Sequence, residues 1–255
     1  VRDFRKHGVD NGHPDFQRYN TGHAVEWVEP ELDADGKPVA KSIHGRKLSS
    51  NFRNEAGRNI MPALYDSSLG DQAGSFGSDV RVITSPESFA QWYRDVPGVN
   101  LSMAYPITLR REQGTNKYVF HLHDDRSTAP REGFFPADGE LFGDVEEDWG
   151  HNFHFTFELE TEFMVEKGTG QYFTFYGDDD VWVFVNGRMV IDIGGVHGAV
   201  NQTIDIDRLD WLADGERATL KLFFAERHTT RSNFRVETSL RLRTVTLPQT
   251  AGLYD

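Results

Sequence analysis

"FYGDDDVWVFVNG", residues 175–187, is the stretch that decides the fold. In "VWVFV", Val181, Val183 and Val185 fall on one face of an extended chain and Trp182 and Phe184 on the other. A run apolar on both faces reads as a central strand buried on both sides. Asn186-Gly187 is the strongest short hairpin signal in the chain, and "RMVIDI" (188–193) reads as the returning strand. Just before this hairpin stand Asp178, Asp179 and Asp180. At about 4 Å and an effective dielectric near 20, each like-charged pair costs roughly 4 kcal/mol, so an offsetting group is expected. Consecutive side chains of a straight strand point to opposite faces, so Asp178 and Asp179 converge only if the chain turns. Gly177 and the hairpin position supply a turn, and a contorted or cis peptide between the two aspartates would bring both carboxylates together.

Working outward, short aromatic and β-branched runs separated by Gly, Asp and Asn turns predict further strands. They are "KYVFHL" (117–122), 153–166, 171–176, 202–206, 218–226 and 233–245. In "FHFTFELE", Phe153, Phe155 and Phe157 alternate with His154, Thr156 and Glu158, which predicts a strand with one wet face covering the core from outside. Helix is expected only at "SPESFAQWYRDV" (85–96), where Ser85 caps and Pro86 and Glu87 suit the first turn, and briefly at 207–212. The expected fold class is all-β: an antiparallel sandwich with long loops and one or two short helices. It forms a single domain over 1–255, with a core over 110–245 and a loop-rich part over 1–80 wrapped on it.

Composition narrows the function. A net charge of −13 with scattered Lys and Arg leaves no phosphate-tracking patch, so no nucleic-acid partner is expected. With no cysteines, disulfides, thiolate metal sites and cysteine nucleophiles are excluded. No apolar run approaches the 18 or so residues of a membrane helix, so no membrane insertion is expected. Val1 begins without a leader, which fits either removal of a signal peptide or a trimmed start.

Oxygen ligands without thiolates favour calcium as the group that offsets the aspartates. Further oxygens are sought in "ERHTTRSNF" (226–234), which offers Thr229, Thr230, Ser232, Asn233 and main-chain carbonyls. The alternative is an exposed acidic turn. Against it, aromatic strands flank the triplet on both sides, and the nearest basic residue along the chain is Arg188. The spacing is not that of an EF-hand loop.

The run "FTFYGDDDVWVFVNGRMVIDIGGVH", followed by "LFFAERHTTRSNFRVETSL" and preceded by "RDF", "HPDF" and "WYRDVPGVN", resembles the fibro-slime domain. That bacterial surface module is related to the protective-antigen-like lectin sandwich. The resemblance runs from Arg2 to about Arg243. It implies a cis-linked aspartate pair, Asp178 and Asp179, chelating one calcium whose open positions take vicinal sugar hydroxyls. Asp180 stands where relatives often have glycine. A second calcium loop is implied at 228–233, with Ser232 and Asn233 as expected metal ligands alongside Asp178, Asp179 and Asp180. His228, Thr229, Thr230, Arg231 and His197 are the expected ligand contacts.

Other residues carry weaker signals. His197 in "GGVHG" also reads as a structural hydrogen-bonding group. His121 and His123 could hold zinc with Asp124 or Asp125, or form a solvated edge. Glu226, Arg227 and His228 at a strand end read as an internal ion pair or as a sugar-binding rim. Trp149 and Trp182 could stack on sugar rings, although Trp182 on a central strand belongs to the core. Sequons stand at Asn100 and Asn201. No G-x-S-x-G elbow, H-E-x-x-H helix or phosphate loop is present, so no enzyme is expected.

The expectation is therefore a calcium-dependent carbohydrate-binding adhesion module of a bacterial surface protein. It would sit outside the cell, with cell-surface or extracellular glycans and other domains of a larger adhesin as partners. The alternatives are a calcium-stabilised structural or protein-binding part of a surface filament and, below it, a polysaccharide hydrolase.

Overall fold

The computed structural model describes residues 1–120, 133–143, 146 and 149–244. Its strands in chain order begin with β1 (Arg2–Phe4), β2 (Ala24–Val25), β3 (His44–Ser50), β4 (Ser75–Arg81), β5 (Asn100–Ser102), β6 (Arg110–Arg111) and β7 (Tyr118–Phe120). They continue with β8 (Phe155–Met164), β9 (Tyr172–Gly177), β10 (Asp180–Val185), β11 (Arg188–Ile193), β12 (Val200–Asp205), β13 (Arg217–Glu226), β14 (Phe234–Thr238) and β15 (Arg243–Thr244). A seven-stranded sheet runs β11-β10-β13-β8-β1-β5, with β15 also on β8, and a five-stranded sheet runs β12-β9-β14-β7-β6. A third sheet, β2-β3-β4, lies in the N-terminal part. The protein is an all-β antiparallel sandwich.

Alternation explains the main core. Val181, Val183 and Val185 of β10 and Leu220, Leu222 and Phe224 of β13 meet Phe173, Phe175, Ile204, Phe234 and Val236 of the other sheet. Phe134 fills the space between them, with ring centroids 5.5 Å from Phe157 and 4.5 Å from Phe234. The β10–β11 hairpin turns at Asn186 (φ 48°) and Gly187 (φ 79°), the left-handed pair that a two-residue turn requires.

The other face of β10 is buried as well, because the N-terminal part covers it. Trp182, Phe184 and Phe223 pack in a second cluster with Trp27, Phe89, Trp92 and Tyr93. This cover corrects the expectation of a wet face on β8: His154 is 3% exposed and Thr156 is fully buried, its hydroxyl donating to the Trp92 carbonyl at 2.6 Å. β8 is also an inner strand, between β13 and β1.

Two further expectations change. The 233–245 strand breaks after Thr238, because β14 belongs to the five-stranded sheet and β15 to the seven-stranded one. The 85–96 helix shrinks to one turn, α1 (Pro86–Phe89), capped by Ser85 and Ser88. Beyond it the Asn100 side chain takes the Gln91 and Arg94 carbonyls and the Val96 N–H, which satisfies that backbone as a loop. The expected 207–212 helix is a 3₁₀ turn over Ile206–Arg208. Among the described residues no helix is long and apolar enough to cross a membrane.

Two connections cross between the large sheets side by side. β9 passes to β10 through Asp178 and Asp179, and β13 passes to β14 through residues 227–233. Their flanks pair in both sheets, Gly177 with Phe234 and Asp180 with Ala225, so the aspartates and the 227–233 loop are held against each other.

Candidate functional site

The Asp178–Asp179 peptide is cis. Asp178 is 4% exposed and its carboxylate accepts from the Asn233 backbone N–H at 2.5 Å and from Asn233 Nδ2 at 2.8 Å. Asp179, also buried, accepts backbone N–H bonds from His197 and Arg227, both at 3.2 Å.

A third carboxylate joins them from β13. Ala218, Leu220, Leu222 and Phe224 face the core, and the same period of two turns Glu226 inward at the strand's end. Glu226 is fully buried, with Oε1 only 3.5 Å from the His228 N–H, and Oε2 has no hydrogen-bond partner. The Ser232 hydroxyl, on a residue 1% exposed, is likewise unpartnered.

The electrostatics follow from burial and crowding. Burial pushes Asp178 up to about 6, against the two hydrogen bonds from Asn233. Asp179 is raised well above the carboxylate range by burial, then by the charges of Asp180 and Asp178, with Arg227 opposing. Glu226 is raised by burial and then by Asp179 and Asp178. The charges of Asp178 and Asp179 thus reach the buried Glu226, and the oxygens gathered here are of hard oxygen chemistry. Among the described residues no three acidic or histidine side chains already stand in metal-ligand geometry. A cation here would accordingly draw on neutral oxygens as well as carboxylates.

Asp180 is not part of that set. Its carboxylate receives Arg227 Nε at 2.5 Å, Nη2 at 3.1 Å and the Gly195 N–H at 2.6 Å. Arg227 is itself fully buried, donates to the Val82 carbonyl at 3.0 Å and lies 4.8 Å from the centre of the Trp92 ring. The buried positive charge that pairs with Asp180 therefore comes from a residue 47 positions away along the chain, which proximity in sequence could not reveal. Glu226, weighed in the sequence only as an ion pair or a rim residue, was detectable from the alternation of β13.

The remaining sequence candidates are placed as follows. Asn233 holds Asp178, and Ser232 lies by Glu226. His197 Nδ1 lies 2.8 Å from the Gly198 carbonyl and its ring 5.3 Å from that of His23, while its Nε2 is buried without a partner. His228 Nδ1 lies 2.7 Å from the Thr229 carbonyl, and Thr229 bonds to Gln17 through both N–H and hydroxyl. Thr230 and Arg231 are exposed. Trp182 is core and donates to Asp192 at 3.1 Å, and Trp149 packs half-buried against the main core. His121, His123, Asp124 and Asp125 lie outside the described residues.

No protein-family model matches the chain. Among curated proteins it is similar to several from Dictyostelium discoideum. Protein psiQ is 40% identical over 171 residues, covering 63% of this chain and 16% of psiQ. Protein psiD is 31% identical over 232 residues, covering 89% of this chain and 38% of psiD. Protein psiR is 35% identical over 172 residues, covering 63% and 16%. The chain spans well under half the length of each of these relatives. A GH31 α-xylosidase from Xanthomonas citri aligns with 91% of this chain and 22% of its own at 13% identity, but with a TM-score of 0.28 it carries no argument. The curated relatives correct the functional expectation. A calcium-dependent lectin module of a bacterial surface protein is overturned, because the proteins this chain is similar to belong to a eukaryote.

Proposed function

We propose that this chain is a non-catalytic β-sandwich module that binds calcium where the two sheet-crossing connections meet. Asp178, Asp179 and Glu226 would hold the ion, with the Ser232 hydroxyl and the Asn233 side chain as neutral donors. The observation that carries the reading is the pair of fully enclosed oxygens, Glu226 Oε2 and Ser232 Oγ, which have no partner within hydrogen-bond geometry beyond their nearness to each other, beside two other buried carboxylates. Buried polar atoms are almost always partnered, so a set of oxygens like this suits a bound cation. When bound, the ion would supply the positive charge that Arg227, committed to Asp180, does not.

The role that follows is mechanical. Asp178 and Asp179 lie in one crossing and Ser232 and Asn233 in the other, so an ion held by all four would tie the two sheets together at this end. The resemblance to the fibro-slime domain, with its paired aspartates, supports the same ion. An extracellular setting, where calcium is millimolar and even a weak site stays filled, belongs to this proposal.

Calorimetric titration of chelator-stripped protein with calcium, and separately with magnesium, tests it, alongside Asp179→Ala and thermal melts. Calcium heat and a raised melting midpoint in the wild type, both lost in the variant, are expected. No calcium heat and no thermal shift in the wild type would sink the proposal.

A further inference from the structure

A groove of about 720 Å³ lies on the outer face of the five-stranded sheet. The same alternation that sends Phe173, Phe175, Phe234 and Val236 into the core turns Thr174, Tyr176, Arg235 and Glu237 outward. Pairing lines these up in two rows across the strands: Asn201, Tyr176 and Arg235 in one, and Thr203, Thr174 and Glu237 in the next. Residues 53–59 wall the β12 side, anchored by the Asn59 carbonyl on the Thr203 N–H at 2.7 Å and by Asn59 Nδ2 on Asn201 at 3.2 Å.

The groove is positive on an acidic molecule. Arg53, Arg58 and Arg235 line it against the single carboxylate of Glu237, although the chain carries a net charge of −13. Arg235 pairs with Glu237 at 3.2 Å and Arg58 with Asp205 at 3.3 Å. The Arg53 side chain bonds to Asn59 Oδ1, at 3.4 Å, and among the described residues no carboxylate stands within ion-pair reach of it. Tyr176 is 41% exposed on the floor between them. Tyrosine and arginine in a concave setting are the residues that carry binding energy at protein interfaces.

We infer that this groove binds an acidic peptide segment laid across Tyr176, with separate carboxylates taken by Arg53 and Arg235 and peptide groups met by Asn201 and Thr203. Arg53 and Arg235 stand on opposite walls, beside β12 and on β14, with β9 between them. Two strand spacings separate these walls by about 10 Å. That separation suits a chain with repeated acidic side chains better than one small anion. Binding requires no cation, so it stands apart from the calcium reading, and the test is run both in calcium and in chelator.

Fluorescence anisotropy with labelled oligo-glutamate tests the inference, with oligo-lysine and oligogalacturonate as comparison ligands. The glutamate peptide binds, the lysine peptide does not, and rising salt weakens the complex. Arg53→Glu and Tyr176→Ala each weaken binding by about tenfold or more, the effect of losing one strong interface contact. Lys41→Glu, an exposed change in the part that covers the other sheet, leaves binding unchanged. Circular dichroism establishes that each variant is folded. Absent binding of oligo-glutamate, equal binding by Arg53→Glu, or preference for oligogalacturonate would each overturn the inference.

Discussion

Arg227 closes on Asp180 with two guanidinium nitrogens, Nε at 2.5 Å from Oδ2 and Nη2 at 3.1 Å from Oδ1, and neither side chain is exposed to solvent. This pair ties the end of β13 to the start of β10 and removes Asp180 from the acidic set formed by Asp178, Asp179 and Glu226.

Arg227→Met leaves the Asp180 carboxylate buried and unpaired. Breaking one side of such a pair costs about 3–5 kcal/mol. Urea unfolding is expected to show that loss, and Asp180→Asn in the same chain is expected to restore part of it. Equal losses in the single and double variants would show that the pair is not coupled.

Glu226→Gln keeps the shape of the side chain and removes its charge. If Glu226 holds the ion, calcium affinity falls by about tenfold or more, or about 1.4 kcal/mol, while the stability of the cation-free protein does not fall. Thermal melts in chelator and in saturating calcium measure both effects. An unchanged calcium-induced shift would remove Glu226 from the ligand set.

Acid stability should depend on His154. Burial, with Lys6 and His228 nearby, lowers it from 6.5 to about 3, and Glu146 lies 3.8 Å from its Nε2. The folded value is the lower one, so the unfolded chain binds the extra proton. Stability is therefore fully present above 6.5 and falls as the pH drops below it. The loss is about 1.4 kcal/mol per pH unit until the folded value is approached. His154→Gln, which can still donate to Gln17, is expected to gain about 2 kcal/mol relative to the wild type between neutral pH and about pH 5. Parallel urea midpoints across that range would refute this.

Gly177 has no room for a side chain. A Cβ there would stand 2.1 Å from the Asn233 carbonyl and 2.7 Å from the Phe175 ring. Gly177→Ala would push β14 off β9 and is expected to cost about 1–3 kcal/mol. Because Asn233 also holds Asp178, the calcium response should weaken with it. A variant with wild-type stability would show that the close approach is not needed.

Much of the fold was legible because local pattern carries it. The period of two in 181–185, with Asn186-Gly187 after it, identifies a buried central strand and its hairpin without reference to anything distant. The acidic triplet likewise announces a place where charge must be offset. The 1–80 stretch was not legible as strands because β1 and β2 are three and two residues long, too short to show a period. β3 and β4, at seven residues each, are mostly exposed on both faces and show no alternation.

What the sequence determined by itself is the all-β class, β10 as an inner strand buried on both faces, and a crowding of carboxylates just before it. Only the tertiary structure decided which carboxylates share that site. Alternation states the direction of a side chain relative to its own strand, not which residue from another strand it will meet. The meeting of Asp180 with Arg227, and of Asp178 and Asp179 with Glu226, follows from two connections crossing between the sheets at the same end. The burial of His154 and Thr156 follows from the N-terminal part covering a face that the alternation of β8 marks as polar. Both are long-range contacts, fixed by how the sheets pack and not by any pattern within one segment.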